Sequence, residues 1–154
     1  MKILCFIQYD EKINGVSKEA VALSQEIASK TNGELTLLTF NDSAANELQK
    51  LQSDKIIFVN ESLLNNYNPL HYTAAVKQIM DKGNYDLLIL GHTYEARDWV
   101  PRLSARLDIP FISDCVDYDL NGDLIEWVRT LYRAKINCSI KSTAQKSIIS
   151  VQSG

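Results

Sequence analysis

Apolar strands alternating with amphipathic helices over residues 1 to about 110 predict an α/β fold: a three-layer domain on a parallel sheet core. Beyond residue 110 the pattern turns to extended segments around a hairpin signal, which predicts an added C-terminal antiparallel or mixed β segment over about 111–152. A chain of 154 residues, 45% hydrophobic, fits a single domain (1–154) whose core needs no disulfide or metal staple.

Residues 2–8 form a short continuous apolar run, as in a strand buried on both faces. A loop (9–16) follows, and Ser17 is placed to cap a helix to about Lys30, with Ala20, Leu23 and Ile27 on one stripe. Asn32-Gly33 reads as its stop, residues 34–40 as a second strand, and Asp42 or Ser43 as the cap of a short helix with Ala44, Ala45, Leu48 and Leu51 inward. A third strand spans 55–59, and the polar connection 60–68 ends in Asn68-Pro69, a cap followed by proline at the first helical position. That helix runs to about Lys82, with Tyr72, Ala75, Val76 and Ile79 inward and Gly83 as terminator. A fourth strand occupies 85–90 and a helix follows from about Asp98 to Leu107, which puts Pro101 in its tolerant first turn. Residues 111–118 and 124–132 read as strands around the Asn121-Gly122 turn, 135–141 alternates with Ile136, Cys138 and Ile140 on one face, and 147–151 is a last apolar strand.

Sixteen Lys and Arg against 19 Asp and Glu leave a net charge of −3, without the basic run of a nucleic-acid binder. No stretch approaches the roughly 18 apolar residues of a membrane span, and Gln8, Asp10 and Glu11 end the N-terminal apolar run too early for a signal peptide. The expected location is cytoplasmic, or the mitochondrial matrix in a eukaryote. Six dispersed glycines supply no GxGxxG or GxxxxGK[ST] phosphate loop. Cys5, Cys115 and Cys138 form no CxxC pair, Cys5 reads as a small buried hydrophobe, and His71 and His92 make no HExxH.

Ligands of open parallel sheets sit beyond the carboxyl ends of the strands. Two segments therefore stand out: Gln8-Tyr9-Asp10, and Gly91-His92-Thr93-Tyr94 with Arg97, Asp98 and Arg102 after it. Gly91, His92, Thr93 and Arg97 are the candidate nucleotide or anion loop. The plainer alternative is that Arg97 and Arg102 are solvated or pair with Asp98 and nearby acids. Ser113, His92 and Asp114 have the composition of a hydrolytic triad, but no GxSxG elbow places the serine. Of the dispersed Tyr and Trp residues, Trp127 and Tyr132 in the antiparallel segment are the candidates for a protein contact surface, together with Arg102 and Arg133. No catalytic or metal-binding residue is identified.

From the fourth strand onward the chain reads Leu87-Leu88-Ile89-Leu90-Gly91, then Arg97-Asp98-Trp99-Val100-Pro101-Arg102-Leu103, Ile109-Pro110, Ser113-Asp114-Cys115-Val116, and the Asn121-Gly122-Asp123 hairpin. It opens with Met1-Lys2-Ile3-Leu4 and starts its third strand at Asp54-Lys55-Ile56. In order and spacing these segments resemble, over essentially the whole chain, the N-terminal domain of the electron transfer flavoprotein alpha subunit. The resemblance implies a fold of the adenine nucleotide alpha hydrolase-like, Rossmann-like kind. It also implies a scaffold role beside a beta subunit, in electron transfer from dehydrogenases, as an electron carrier and not an enzyme. In the family FAD is held by a C-terminal domain and AMP by the beta subunit, so no FAD-contacting residue is carried over to residues 1–154. The departures are Arg133 where the family has glycine, Gln52 or Ser53 where a glycine precedes Asp-Lys, and Val151-Gln152-Ser153-Gly154 in place of Val-Arg-Pro-Gly. The alternative expectation is a stand-alone adenine-nucleotide-binding domain. A hydrolase reading lacks SGGxDS and HIGH segments.

Overall fold

The computed structural model describes residues 1–122 and 124–152; Asp123 of the expected hairpin and Ser153-Gly154 lie outside the described residues. Among the described residues ten strands and four helices follow in the order β1 (Lys2–Phe6), β2 (Tyr9–Asp10), β3 (Lys12–Ile13), α1 (Gly15–Thr31), β4 (Glu34–Thr39), α2 (Asp42–Leu48) and β5 (Lys55–Phe58). Then come α3 (Pro69–Gly83), β6 (Leu87–Gly91), α4 (Tyr94–Leu107), β7 (Phe111–Asn121), β8 (Leu124–Leu131), β9 (Ile136–Lys141) and β10 (Ser147–Val151). A single 3-10 turn (Ser62–Leu64) precedes α3.

One sheet holds eight of the strands in the order β5-β4-β1-β6-β10-β7-β8-β9, and β2 with β3 makes a small separate hairpin. Pairing is parallel from β5 across to β7 and antiparallel in β7–β8 and β8–β9. The α/β, mostly parallel architecture with antiparallel strands toward its C-terminal end is thus the one the sequence pattern predicts. Strand alternation splits the core in two. Ile3, Cys5, Ile89 and Ile149 face α1 and α2, while Leu4, Phe6, Leu88 and Ile148 face α3 and α4. Strands sandwiched this way carry apolar side chains at nearly every position, which is why they read as continuous runs.

Several local expectations are corrected. The parallel sheet does not stop near residue 110: β10 enters between β6 and β7 and runs parallel to both. Asn14, and not Ser17, caps α1, accepting from the Val16 N–H at 3.1 Å, while Ser17 is buried and its Oγ accepts from the Gln8 N–H. Asn41, and not Asp42 or Ser43, caps α2 through the Ala44 N–H. Asn68 caps α3 with Pro69 in its first turn, as expected, but Gly83 is the last helical residue, and Asn84 takes the left-handed position. Gly83 instead leaves room for the Tyr85 ring.

α4 begins four residues earlier than expected, because Thr93 Oγ1 accepts from the Ala96 N–H at 3.1 Å and closes the first turn there. Pro101 therefore lies inside the helix. It sits on the exposed face, where solvent can take the bond that its missing N–H denies the Arg97 carbonyl. Among the described residues no helix is long and apolar enough to cross a membrane.

Candidate functional site

From β1 the chain winds outward through β4 to β5, then returns to β6 on the other side of β1. The carboxyl ends of β1 and β6 therefore diverge into a crevice, the position where open α/β sheets hold ligands. A cleft of about 730 Å³ occupies it, and Gln8, Asp10, Val16, His92, Thr93 and Arg97 are among its walls. Thr93 ties the crevice together, since its hydroxyl caps α4 and donates to Gln8 Oε1 at 2.6 Å. Gly91 serves packing: a Cβ there would come within 2.5 Å of Val16 Cγ1, so its absence lets the first turn of α1 cross the end of β6. Arg97 is exposed and lies over the Tyr94 ring at 5.7 Å. Structure thus brings Gly91, His92, Thr93 and Arg97 to one end of the sheet, but Asp10 and Glu95 line the same cleft.

His92 is the centre of a polar knot behind the crevice. Its Nδ1 lies 2.8 Å from Ser150 Oγ, and Ser150 Oγ accepts from the Asp114 N–H at 3.2 Å. The hydroxyl can accept from both neighbours or donate to Nδ1, according to the imidazole tautomer, and the other ring nitrogen, Nε2, faces Asp114 Oδ1 at 3.8 Å. Burial holds the His92 pKa below its ordinary value, against the pull of Asp114 and with help from Arg97 and Arg129. Asp114 adopts a left-handed φ of 63° where the pairing of β7 shifts register. Asp114 Oδ1 and Arg129 Nε are buried without a hydrogen-bond partner among the described residues.

The serine beside His92 is therefore Ser150 and not Ser113. It is fully buried, and its contacts to His92 Nδ1 and the Asp114 N–H brace the strand ends. No local signal marks Ser150, because its partners come from 58 and 36 residues away.

The expected partner-contact residues separate. Trp127 is 2% exposed and packs beside Tyr118 under β8, so it belongs to the core and not to a contact surface. Antiparallel pairing puts alternate residues on opposite faces, and Trp127 falls on the inner one. Tyr132 is 75% exposed, and with Arg133 and Ala134 it forms a turn of three consecutive left-handed residues joining β8 to β9. Arg102 pairs with Asp98 at 3.2 Å, and Asp98 also accepts from the Tyr67 hydroxyl at 2.9 Å, so Arg102 matches the plainer reading of an exposed ion pair. Cys5 and Cys115 are buried and their thiols are pushed up to about 12 by burial, which makes them inert.

A second cleft of about 340 Å³ adjoins the first at Gln8, Asp10 and Glu95. Phe6, Phe40, Tyr72 and Tyr67 join edge to face behind it, with ring centroids 4.9–5.2 Å apart from one to the next. Asp10 belongs to a segment that the sequence singles out, but Asp42, Glu95 and the aromatic wall are gathered from separate loops and carry no joint signal in the chain.

The chain matches the electron transfer flavoprotein domain family over residues 4–154. It is similar to the electron transfer flavoprotein subunit alpha of Bacillus subtilis (strain 168), 29% identical over 129 residues, which covers 82% of this chain and 39% of that protein. It is also similar to the electron transfer flavoprotein subunit alpha of Clostridium acetobutylicum, 29% identical over 124 residues (77% of this chain, 37% of that protein). A third relative is Protein FixB of Clostridium saccharobutylicum, 28% identical over 123 residues (77% of this chain, 37% of that protein). The chain spans roughly two fifths of the length of these curated relatives.

Proposed function

The chain belongs to the electron transfer flavoprotein domain family, and from that premise we propose that it is the scaffold domain of an alpha-type subunit, which pairs with a beta-type subunit and supports electron transfer from dehydrogenases. The observation that carries this reading is a family match that runs through the wound sheet and the β7–β9 arm alike, over residues 4–154. The arm supports it physically: Leu124, Tyr132 and Ile136 are exposed on or beside its outermost strands, where a partner surface would cover them.

In this reading FAD is held outside residues 1–154 and AMP belongs to the beta-type partner. The residues present do not fit a flavin. Thr93 already takes the Ala96 N–H at the start of α4, Val16 packs against Gly91, and Asp10 and Glu95 oppose a pyrophosphate in the crevice. The same carboxylates weigh against stand-alone adenine-nucleotide binding, although His92, Thr93 and Arg97 do share the cleft.

Size-exclusion chromatography of the chain with a beta-type subunit from the same genome tests the proposal. The expected result is a one-to-one complex that Tyr132→Asp weakens. Two independent elution peaks at high micromolar concentration would count against the assembly role, and saturable AMP binding by the isolated chain would favour the nucleotide reading.

A further inference from the structure

The second cleft has a character that the scaffold role does not use. Asp10, Asp42 and Glu95 line it, together with Phe40, Tyr67 and Tyr72, and no Lys, Arg or His is among its walls. The acids are not spent on capping, since Asn41 and Thr93 make the cap bonds of α2 and α4. Helix N-termini offset only part of that charge, and Arg97 lines the neighbouring cleft that shares Asp10 and Glu95, so the walls of this cleft are net acidic. Glu95 is half-buried, and burial together with Asp10 pushes its carboxyl above the ordinary range; Tyr72 feels both carboxylates and is pushed up to about 12, chiefly by burial. Among the described residues the Glu95 carboxylate has no hydrogen-bond or ion-pair partner, whereas Asp10 accepts from Gln8 Nε2.

The form of the cleft narrows the occupant. Among the described residues no group of three acids, cysteines or histidines is close enough to hold a metal ion, so the carboxylates are spread around the cavity and do not converge on a point. Its volume, about 340 Å³, is that of a small-molecule site. Phosphates are repelled by its charge. A molecule that fits has cationic groups separated by an apolar spacer: ammonium heads on the dispersed carboxylates, and methylenes over the aromatic wall, where cation–π attraction adds to the charge pairing.

We propose that this cleft binds a linear aliphatic di- or triamine, held by Asp10, Asp42 and Glu95 against Phe40, Tyr67 and Tyr72.

Calorimetric titration of the whole chain with putrescine, butylamine, butanediol and AMP tests this. Putrescine should saturate and bind at least about tenfold more tightly than butylamine, while butanediol and AMP give no saturable heat. Glu95→Gln and Asp42→Asn should each weaken putrescine severalfold, and acidification toward the range where Glu95 protonates should do the same. Asp42 is exposed at the start of α2, so Asp42→Asn keeps the test valid if Glu95→Gln disturbs packing. Absence of saturable putrescine binding, equal binding of butanediol, preferential binding of AMP, or indifference of putrescine to both substitutions would each overturn the proposal.

Discussion

The wound core and the β7–β9 arm are built from one continuous sheet yet follow opposite rules. In β1, β4, β6 and β10 nearly every residue is buried, because helices cover both faces. In β8 and β9 most residues are only half-buried or exposed, and β9 is the edge strand on the arm's side of the sheet. The core has its helix starts capped by side chains. The arm keeps a turn in which Tyr132, Arg133 and Ala134 all hold left-handed φ values of 52–61°, a conformation that costs a non-glycine residue roughly 1–2 kcal/mol. Stability is concentrated in one region, and surface available for a partner in the other. Trp127 is the joint between them, an arm residue seated in the core.

The sharpest way to break this contrast is to remove a large side chain from each region. Trp99, 1% exposed between α3 and α4, should cost about 3–5 kcal/mol on truncation to Ala. Tyr132→Ala in the arm should change stability by no more than about 0.5 kcal/mol. Denaturant unfolding of both variants measures the difference; similar costs would mean that the arm is as tightly held as the core.

A smaller effect comes from the knot where the two regions meet. Ser150→Ala leaves His92 Nδ1 and the Asp114 N–H without their bridging partner and should destabilise by about 1–3 kcal/mol. The knot also sets a pH dependence. His92 is depressed below its ordinary 6.5 in the folded state, so the unfolded chain binds more protons in the window below that value. Its contribution is complete above 6.5 and is lost as pH falls toward the folded pKa. His92→Gln should flatten the fall in stability over that window, measured by unfolding at a series of pH values.

The smallest expected effect has the opposite sign. Arg133 stands where the resembling family carries glycine, at φ 57°. Arg133→Gly should relieve the strain and stabilise by a few tenths to about 1 kcal/mol, after allowance for glycine's added freedom in the unfolded chain. A loss of thermal stability in that variant would show that the Arg133 side chain, and not the backbone of the turn, holds the arm.

Much of the fold was legible in the chain. Runs such as Leu87-Leu88-Ile89-Leu90 read as strands because burial on both faces removes alternation, and Asn68-Pro69 marked its helix start because a cap and a fixed φ are local properties. Pro101 misled for the same reason that it usually informs. A proline is expected at a first turn, but the Thr93 cap set that turn earlier and left Pro101 on a solvent-facing side. Of the candidate site, the chain marked His92, Thr93 and Arg97 by their place after a strand. The Ser150 brace and the aromatic and acidic cleft could not be marked, since each assembles residues from several loops.

By itself the sequence determined the fold class and the family, because strand and helix periodicity and the order of short motifs are properties of neighbouring residues. Only the tertiary structure decided that β10 enters the middle of the parallel sheet, that Trp127 is interior while Tyr132 is exposed, and that Asp10, Asp42 and Glu95 share one cleft. Those outcomes depend on which strands pair and which loops meet at a sheet edge. Contacts between residues far apart in the chain settle them, and no local pattern encodes such contacts.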